Sequence, residues 1–238
     1  MQRRSVQIED SHNYTVMIGD VSGSKQLSGR HRYQTQLFLK SAIVQLNEEY
    51  QQDIDAPVTI TKGDEFQALF RDLKSAYKVS LAIEKIIFPI QIRFGFGVGR
   101  VYKMGGRLPI EMDGPAFHFA NWALGLAKKK RTQFVVNTDL ENFDVLCNII
   151  FRLITAIKQK WNERHYRLFW SYKELGTYRK VADVENISPQ AVWDALKTCR
   201  ALDVKYAEES LLQYFNDFYS EFPQSVSTVS EPENVSLR

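Results

Sequence analysis

Residues Ile90–Val101 read Ile-Gln-Ile-Arg-Phe-Gly-Phe-Gly-Val-Gly-Arg-Val. Apolar and other residues alternate along the run, which predicts a β-strand. Gly95, Gly97 and Gly99 recur every second position, so another backbone or a ligand is expected close against one face. Upstream, Leu73–Ile87 has the period of an amphipathic helix. Pro57–Ile60 and Phe66–Phe70 read as short strands joined through Thr61-Lys62-Gly63-Asp64, a hairpin tip. Arg30–Tyr50 carries Leu37, Leu39, Ala42, Ile43 and Leu46 at helical spacing. Tyr14–Asp20 (YTVMIGD) is a buried strand running into a loop. Downstream, Gly105-Gly106 marks a further hairpin, Pro115–Ala127 a helix and Gln133–Asn137 a last short strand.

The order over residues 10–140 is therefore β-α-β-β-α-β-β-α-β. It predicts an α+β fold with a ferredoxin-like antiparallel sheet and two helices crossing one face. From residue 141 to 220 only helical patterns occur, and 221–238 have the composition of a disordered tail. No internal repeat is seen. The 238 residues and formal charge of +3 suit a globular chain and exclude a histone-like electrostatic binder. Cys147 and Cys199 are too few for a disulfide scaffold or a four-cysteine zinc site, and both are expected as buried thiols. The four histidines lack zincin spacing. Met1–Tyr14 has no apolar stretch behind its arginines and is not a secretory signal. Ile83–Phe96 and Val145–Ile157 are interrupted by charge and fall short of the roughly 20 apolar residues of a membrane span. A cytoplasmic protein without membrane contact is expected.

In such a sheet the first strand and the β-hairpin occupy the centre, so Asp20 and Asp64 lie side by side. Two carboxylates there can hold Mg²⁺ or Mn²⁺, and the metal can carry a triphosphate. Ser22, Gly23, Ser24 and Lys25 follow Asp20 toward a helix, where backbone N–H groups and a lysine can cradle phosphate. Read singly, Asp20 is a loop or capping residue and Asp64 a turn residue.

These segments also resemble known motifs. Ile18-Gly19-Asp20-Val21-Ser22-Gly23-Ser24 resembles the first metal motif of class III nucleotidyl cyclases. Lys62-Gly63-Asp64-Glu65-Phe66-Gln67-Ala68 resembles their second, and also the Gly-Asp-Glu-Phe element of diguanylate cyclases. Arg93-Phe94-Gly95 through Gly99 is similar to the cyclase Arg-x-Gly-x-x-x-Gly strand. Gly114-Pro115-Ala116-Phe117-His118-Phe119-Ala120 stands in place of the helix that carries a substrate Asn. Over about residues 14–137 the series is similar to the SatD family of small bacterial proteins. The resemblance implies a nucleotidyl cyclase-like palm with Asp20 and Asp64 as metal ligands. It places Glu111 at the base-reading acidic position, His118 at the substrate Asn position and Trp122 at the transition-state Arg position. Lys62 stands two before Asp64, whereas the purine-selecting position, four before, is Ile60. An Arg on the transferring phosphoryl group is worth several kcal/mol, so Trp122 implies binding more than turnover. Lys128-Lys129-Lys130-Arg131 offers substitute charge; its plainer reading is a solvated helix end.

The helical part adds a second pattern. Across residues 178–199, Ala182, Asn186, Ile187, Ser188, Val192 and Leu196 have the spacing of a helix-turn-helix. Ala182 is small at the helix crossing, Asn186 suits a left-handed turn, and Ser188 caps a helix opened by Pro189. The helix before it, Trp161–Leu175, completes a three-helix core, and Glu208–Tyr219 is apolar on one face. The series resembles the DNA-binding unit of many bacterial regulators, with Gln190, Lys197 and Arg200 on the outward face. A packing or partner-docking unit is the alternative. Residues 158–200 carry nine Lys/Arg against five Asp/Glu, and 201–238 two against seven, a basic block before an acidic end.

The expected protein is thus a SatD-like regulator whose palm binds a nucleoside triphosphate and whose helices bind DNA or a partner, with a homodimer open. The alternatives are an active nucleotidyl cyclase or polymerase using Asp20 and Asp64, and a catalytically dead interaction module.

Overall fold

The structure is a computed structural model describing residues 12–23, 28–103 and 106–221. Its palm runs β1 (Tyr14–Val21), α1 (Gly29–Glu49), β2 (Ala56–Lys62), β3 (Glu65–Phe70), α2 (Leu73–Ile87), β4 (Ile92–Gly99), β5 (Tyr102–Lys103), β6 (Met112–Asp113), α3 (Pro115–Lys130) and β7 (Phe134–Asn137). Strands order as β2-β3-β1-β4-β7 in one sheet. β1 pairs antiparallel with both β3 and β4. It buries Val16 and Ile18 on one face and Met17 and Val21 on the other. That two-sided burial explains its unbroken apolar run.

The β4 glycines are explained by backbone approach. A Cβ on Gly95 would lie 2.4 Å from the Ala120 carbonyl oxygen, and one on Gly97 2.1 Å from that of Ala116. α3 therefore rests directly on β4, on the sheet face opposite the one covered by α1 and α2. Two features refine the expected plan. β7 pairs parallel to β4, because α3 is a crossover that returns the chain in the same direction. β3 adjoins β1 at the centre while β2 is an edge strand. β5 and β6 form a separate short ribbon; Met104 and Gly105, where the further hairpin tip was expected, lie outside the described residues.

The helical region comprises α4 (Glu141–Lys158), α5 (Glu163–Leu175), α6 (Tyr178–Glu185), α7 (Pro189–Thr198) and α8 (Ala201–Glu221). α4 covers the β7 edge through one side chain. Asn148 Nδ2 donates to the Val136 carbonyl and Asn148 Oδ1 accepts from the Val136 N–H, each at 2.9 Å. The next helices start and stop at local caps, of which Asn186 and Ser188 were expected from the sequence. Asn162, Thr177 and Ser188 accept from the N–H groups of His165, Lys180 and Ala191, and Gly176 and Asn186 take left-handed conformations at φ 76° and 52°. Of the expected tail, 221–238, Glu221 ends α8 and residues 222–238 lie outside the described ones.

One apolar core runs through both parts. Tyr77 of α2 meets Phe134 of β7 and Phe151 of α4, each with ring centroids 5.4 Å away, and Phe215 of α8 at 5.6 Å. A charged cluster lies beside it. Lys158 is 2% exposed, and its Nζ is 2.7 Å from Glu84 of α2 and 3.2 Å from Glu208 of α8. Lys173 of α5 reaches Glu208 at 2.6 Å. Burial opposes the charge of Lys158, but Glu84 and Glu208 outweigh it and raise its pKa. Burial likewise opposes the charge of Glu208, and Lys158 and Lys173 bring its pKa below the ordinary value. Both cysteines are free and buried, and burial pushes the Cys147 thiol up to about 12. Among the described residues no helix is long and apolar enough to cross a membrane.

Candidate functional site

Asp20 occupies the last turn of the pleat before β1 ends, on the face that α3 covers. In the ladder its Cα partners are Glu65 on β3 and Arg93 on β4. Asp64 is the residue before Glu65, in a two-residue turn between Lys62 and Glu65. Gly63 takes φ 66°, the positive value that this tight hairpin requires at its first central residue. The register thus sets Asp64 diagonally beside Asp20, as the hairpin reading expected.

The two carboxylates sit in different environments. Asp64 is 9% exposed, and its Oδ2 is buried with no hydrogen-bond partner. A buried carboxylate oxygen without a donor is costly. Asp20 is partly buried, and Lys128 Nζ lies 3.1 Å from its Oδ2. Lys128 continues the sheet-facing series Ala116, Ala120, Leu124 on α3. The sequence grouped it with a basic helix end; the four-residue spacing was the signal that assigned it inward.

The donor set fits a divalent cation. Mg²⁺ commonly takes one or two carboxylates and completes its shell with water and phosphate oxygens. Asp20 and Asp64 would hold the ion, and the unpartnered Asp64 Oδ2 is the atom that such an ion would satisfy. When bound, the metal would neutralise phosphate charge and polarise a phosphoryl oxygen. Among the described residues no group of three or more His, Cys, Asp or Glu side chains is assembled for a metal, so phosphate or water must supply the remaining ligands.

The other expected site residues are placed unevenly. The Ser22 N–H donates to the Gln91 carbonyl at 2.7 Å, and Gly23 is exposed with φ 74°. Ser24 and Lys25 lie outside the described residues. Lys62 is exposed at the end of β2. Glu111, in a single 3-10 turn, accepts from the Leu108 N–H. His118 has a 75% exposed side chain and Nε2 3.8 Å from Asp113 Oδ1. His118 and Lys128 are ten residues apart on α3, about 15 Å along the axis. One chain therefore does not gather Glu111 and His118 around Asp20. Trp122, 56% exposed, faces a cavity of about 570 Å³ between α3 and α4.

Gln190 and Lys197 of α7 and Arg200, between α7 and α8, are all exposed, and Ala182 of α6 and Val192 of α7 are buried. Each outward residue has a local partner. Gln190 Nε2 donates to Asp194 at 3.3 Å, Lys197 Nζ stands 4.3 Å from the Trp193 ring centroid, and Arg200 Nε is 2.8 Å from Asp203.

Comparison with solved structures finds similarity over about half of the chain. A bacterial light-regulated adenylyl cyclase is 15% identical over 52% of this chain and 75% of its own, with a TM-score of 0.39. The adenylyl cyclase CyaB from P. aeruginosa is 15% identical over 48% and 71%, with a TM-score of 0.39. The guanylate cyclase domain of RhGC from Catenaria anguillulae, solved in complex with GTP, is 14% identical over 49% and 74%, with a TM-score of 0.38. Among curated proteins no match is found. The model of the SatD family matches residues 14–208, which takes in the palm, the helices as far as the first third of α8, and both aspartates: the chain belongs to the SatD family.

Proposed function

We propose that the chain is a cytoplasmic, nucleotide-responsive regulator. Asp20 and Asp64 take a nucleoside triphosphate with Mg²⁺ or Mn²⁺, and the α6–α7 unit docks on DNA. The observation that carries this reading is the buried, unpartnered Oδ2 of Asp64, whose backbone is next to Glu65, the Cα partner of Asp20. A carboxylate kept in that state is the arrangement a cation would relieve. Ser22 and Gly23 extend the site toward phosphate, and Ser24, Lys25 and Lys62 belong to the same reading. Binding without turnover follows from Trp122, an uncharged side chain that lines the α3–α4 cavity. If Glu111 and His118 contact the same ligand, they do so from a second copy of the chain, because they stand at the far end of α3.

The test is calorimetry of the full chain with ATP, GTP, CTP and UTP in Mn²⁺, beside an assay for cyclic products. Binding that is lost in Asp20→Ala, with no cyclic product, is expected. Robust turnover abolished by Asp20→Ala would replace this reading with an active cyclase. No nucleotide binding at all would leave an interaction module.

For the helical unit, the exposed Gln190, Lys197 and Arg200 support contact with DNA. Phosphate contacts weaken as salt rises, because they release counterions. Gel shifts at two salt concentrations should show wild-type binding and a flatter salt dependence in the double variant Lys197→Ala, Arg200→Ala. A second reading, a protein partner, is favoured by Asp194 and Asp203, whose carboxylates sit within the same face. Salt-insensitive or absent DNA binding would select it.

A further inference from the structure

A cleft of about 370 Å³ opens between the end of the sheet and the helical region. It begins at Ser22, two residues after Asp20. Arg93 of β4 and Arg131 at the end of α3 line the palm side, and Lys158, Trp161 and Tyr166 the helical side. None of its lining residues is a carboxylate. Lys158 is already matched by Glu84 and Glu208. Arg93 and Arg131 have no carboxylate partner among the described residues. Across the β1–β4 ladder Arg93 faces Asp20, which also pairs with Lys128, so the unmatched charge of the cleft rests mainly on Arg131.

The backbone at Arg131 is a second, independent observation. It adopts φ 54°, ψ 38°, the left-handed conformation that ends α3. Glycine is the usual residue there because a side chain is strained in that region. An arginine at this position retains the strain, and Arg131 is an exposed residue that lines the cleft. Its carbonyl accepts from Gln159 Nε2 at 3.2 Å, which ties the turn to the residue after α4.

Both α3 and α4 end at the cleft, and helix C-termini alone would repel an anion. Several of those carbonyls are closed off. The Ala127 carbonyl accepts from the Thr132 N–H at 3.1 Å, and the Lys158 carbonyl from the Trp161 N–H at 3.0 Å. Guanidinium forks match pairs of phosphate oxygens, so a phosphoryl oxyanion is the ligand class that suits a free arginine.

We propose that this cleft binds a polyphosphate oxyanion, with Arg131 as the principal contact and the helical region as one wall. Its source is either the tail of the nucleotide in the function proposed above, on which that arm rests, or free pyrophosphate. The far wall touches the α7 end: Trp161 Nε1 donates to the Cys199 carbonyl at 2.7 Å. An anion in the cleft thus lies against residues that attach the outer helices to the palm.

The test is calorimetry of the full chain with sodium pyrophosphate in EDTA, and separately with ATP and MgCl₂. Wild type should bind pyrophosphate without metal. Arg131→Gly should melt at or above wild type, since glycine suits the left-handed turn, and should lose at least tenfold in pyrophosphate affinity. Lys129→Ala, an exposed neighbour outside the cleft, should bind as wild type. No pyrophosphate binding by wild type, an unaffected Arg131→Gly, or an equal loss in Lys129→Ala would each overturn the proposal. Mg-ATP binding with no role for Arg131 would sink this site and leave the nucleotide reading standing. Arg131-dependent pyrophosphate binding without Mg-ATP binding would keep the site and remove the nucleotide reading.

Discussion

Two buried charges, Asp64 and Lys158, are solved differently. Lys158 has a carboxylate on each side, whereas Asp64 leaves Oδ2 without a donor. Asp64→Asn removes the unmatched charge, so it should melt at or above wild type in EDTA while losing the rise that Mn²⁺ gives the wild type. A Mn²⁺-induced rise retained in the variant would show that the metal sits elsewhere. Lys158→Met leaves Glu84 and Glu208 buried without their shared cation and should cost about 3–5 kcal/mol, read by urea unfolding. The same cluster sets a pH dependence. Glu208 has a folded pKa below its usual value of 4.5, so its contribution is complete above that value. It is lost as pH falls from 4.5 through the folded pKa. Lys158 has a folded pKa above 10.5, so its contribution is complete below 10.5 and is lost as pH climbs through the folded value. Melting curves should therefore fall off at both ends, and Glu208→Gln should flatten the acid limb. An unchanged acid limb in that variant would place its origin in other carboxylates. At this scale the sequence singled out Asp20 and Asp64 as candidates, because their motifs are local. It could not show Lys158, because its partners are 74 and 50 residues away.

At the scale of the element, strands and helices were largely legible because each carries its own period. β4 follows the alternation and α2 the three-to-four spacing, β1 is a run buried on both faces, and α5 to α7 start at side chains that cap them. Which face an element takes was less legible. The glycines of β4 announced a backbone or a ligand close by, and only the packing identifies it as α3 on the face away from α1 and α2. Likewise the parallel β7 follows from the path of α3 and leaves no mark in four residues of strand. Gly95→Ala tests this packing. The new methyl would meet the Ala120 carbonyl at 2.4 Å and the Leu124 nitrogen at 2.4 Å, both backbone atoms that cannot rotate away. The helix must lift, at about 1–3 kcal/mol for an overpacked contact. Because Lys128 rides on α3, the same variant should also weaken any Mg²⁺ or Mn²⁺ response. Unfolding in urea that matches wild type would mean that α3 does not rest on β4 as described.

At the scale of the whole molecule, the change of pattern near residue 140 marks a change of secondary structure, and the packing does not stop there. α4 begins at Glu141 and pins the β7 edge through Asn148. Phe151 and Phe215 join the ring cluster around Tyr77, and Lys74 of α2 donates to Asn216 of α8 at 2.9 Å. Glu84 and Glu208 share Lys158 across the same boundary. A palm cut at residue 140 would expose Phe134, Val136 and Tyr77 to water and strand Glu84 in a vacated pocket, and each buried aromatic lost costs several kcal/mol. The two parts should therefore unfold together. Calorimetry of the full chain is expected to give one transition with matching calorimetric and van't Hoff enthalpies. Phe215→Ala, at the far end of the chain, should lower that single transition by about 3–5 kcal/mol of stability without splitting it. Two resolved transitions, or a loss confined to one of two, would show that palm and helices are separate folding units. In that case an anion held between them could not pass its binding energy from one to the other, whereas a shared core gives every ligand of the palm a direct claim on the stability of α7.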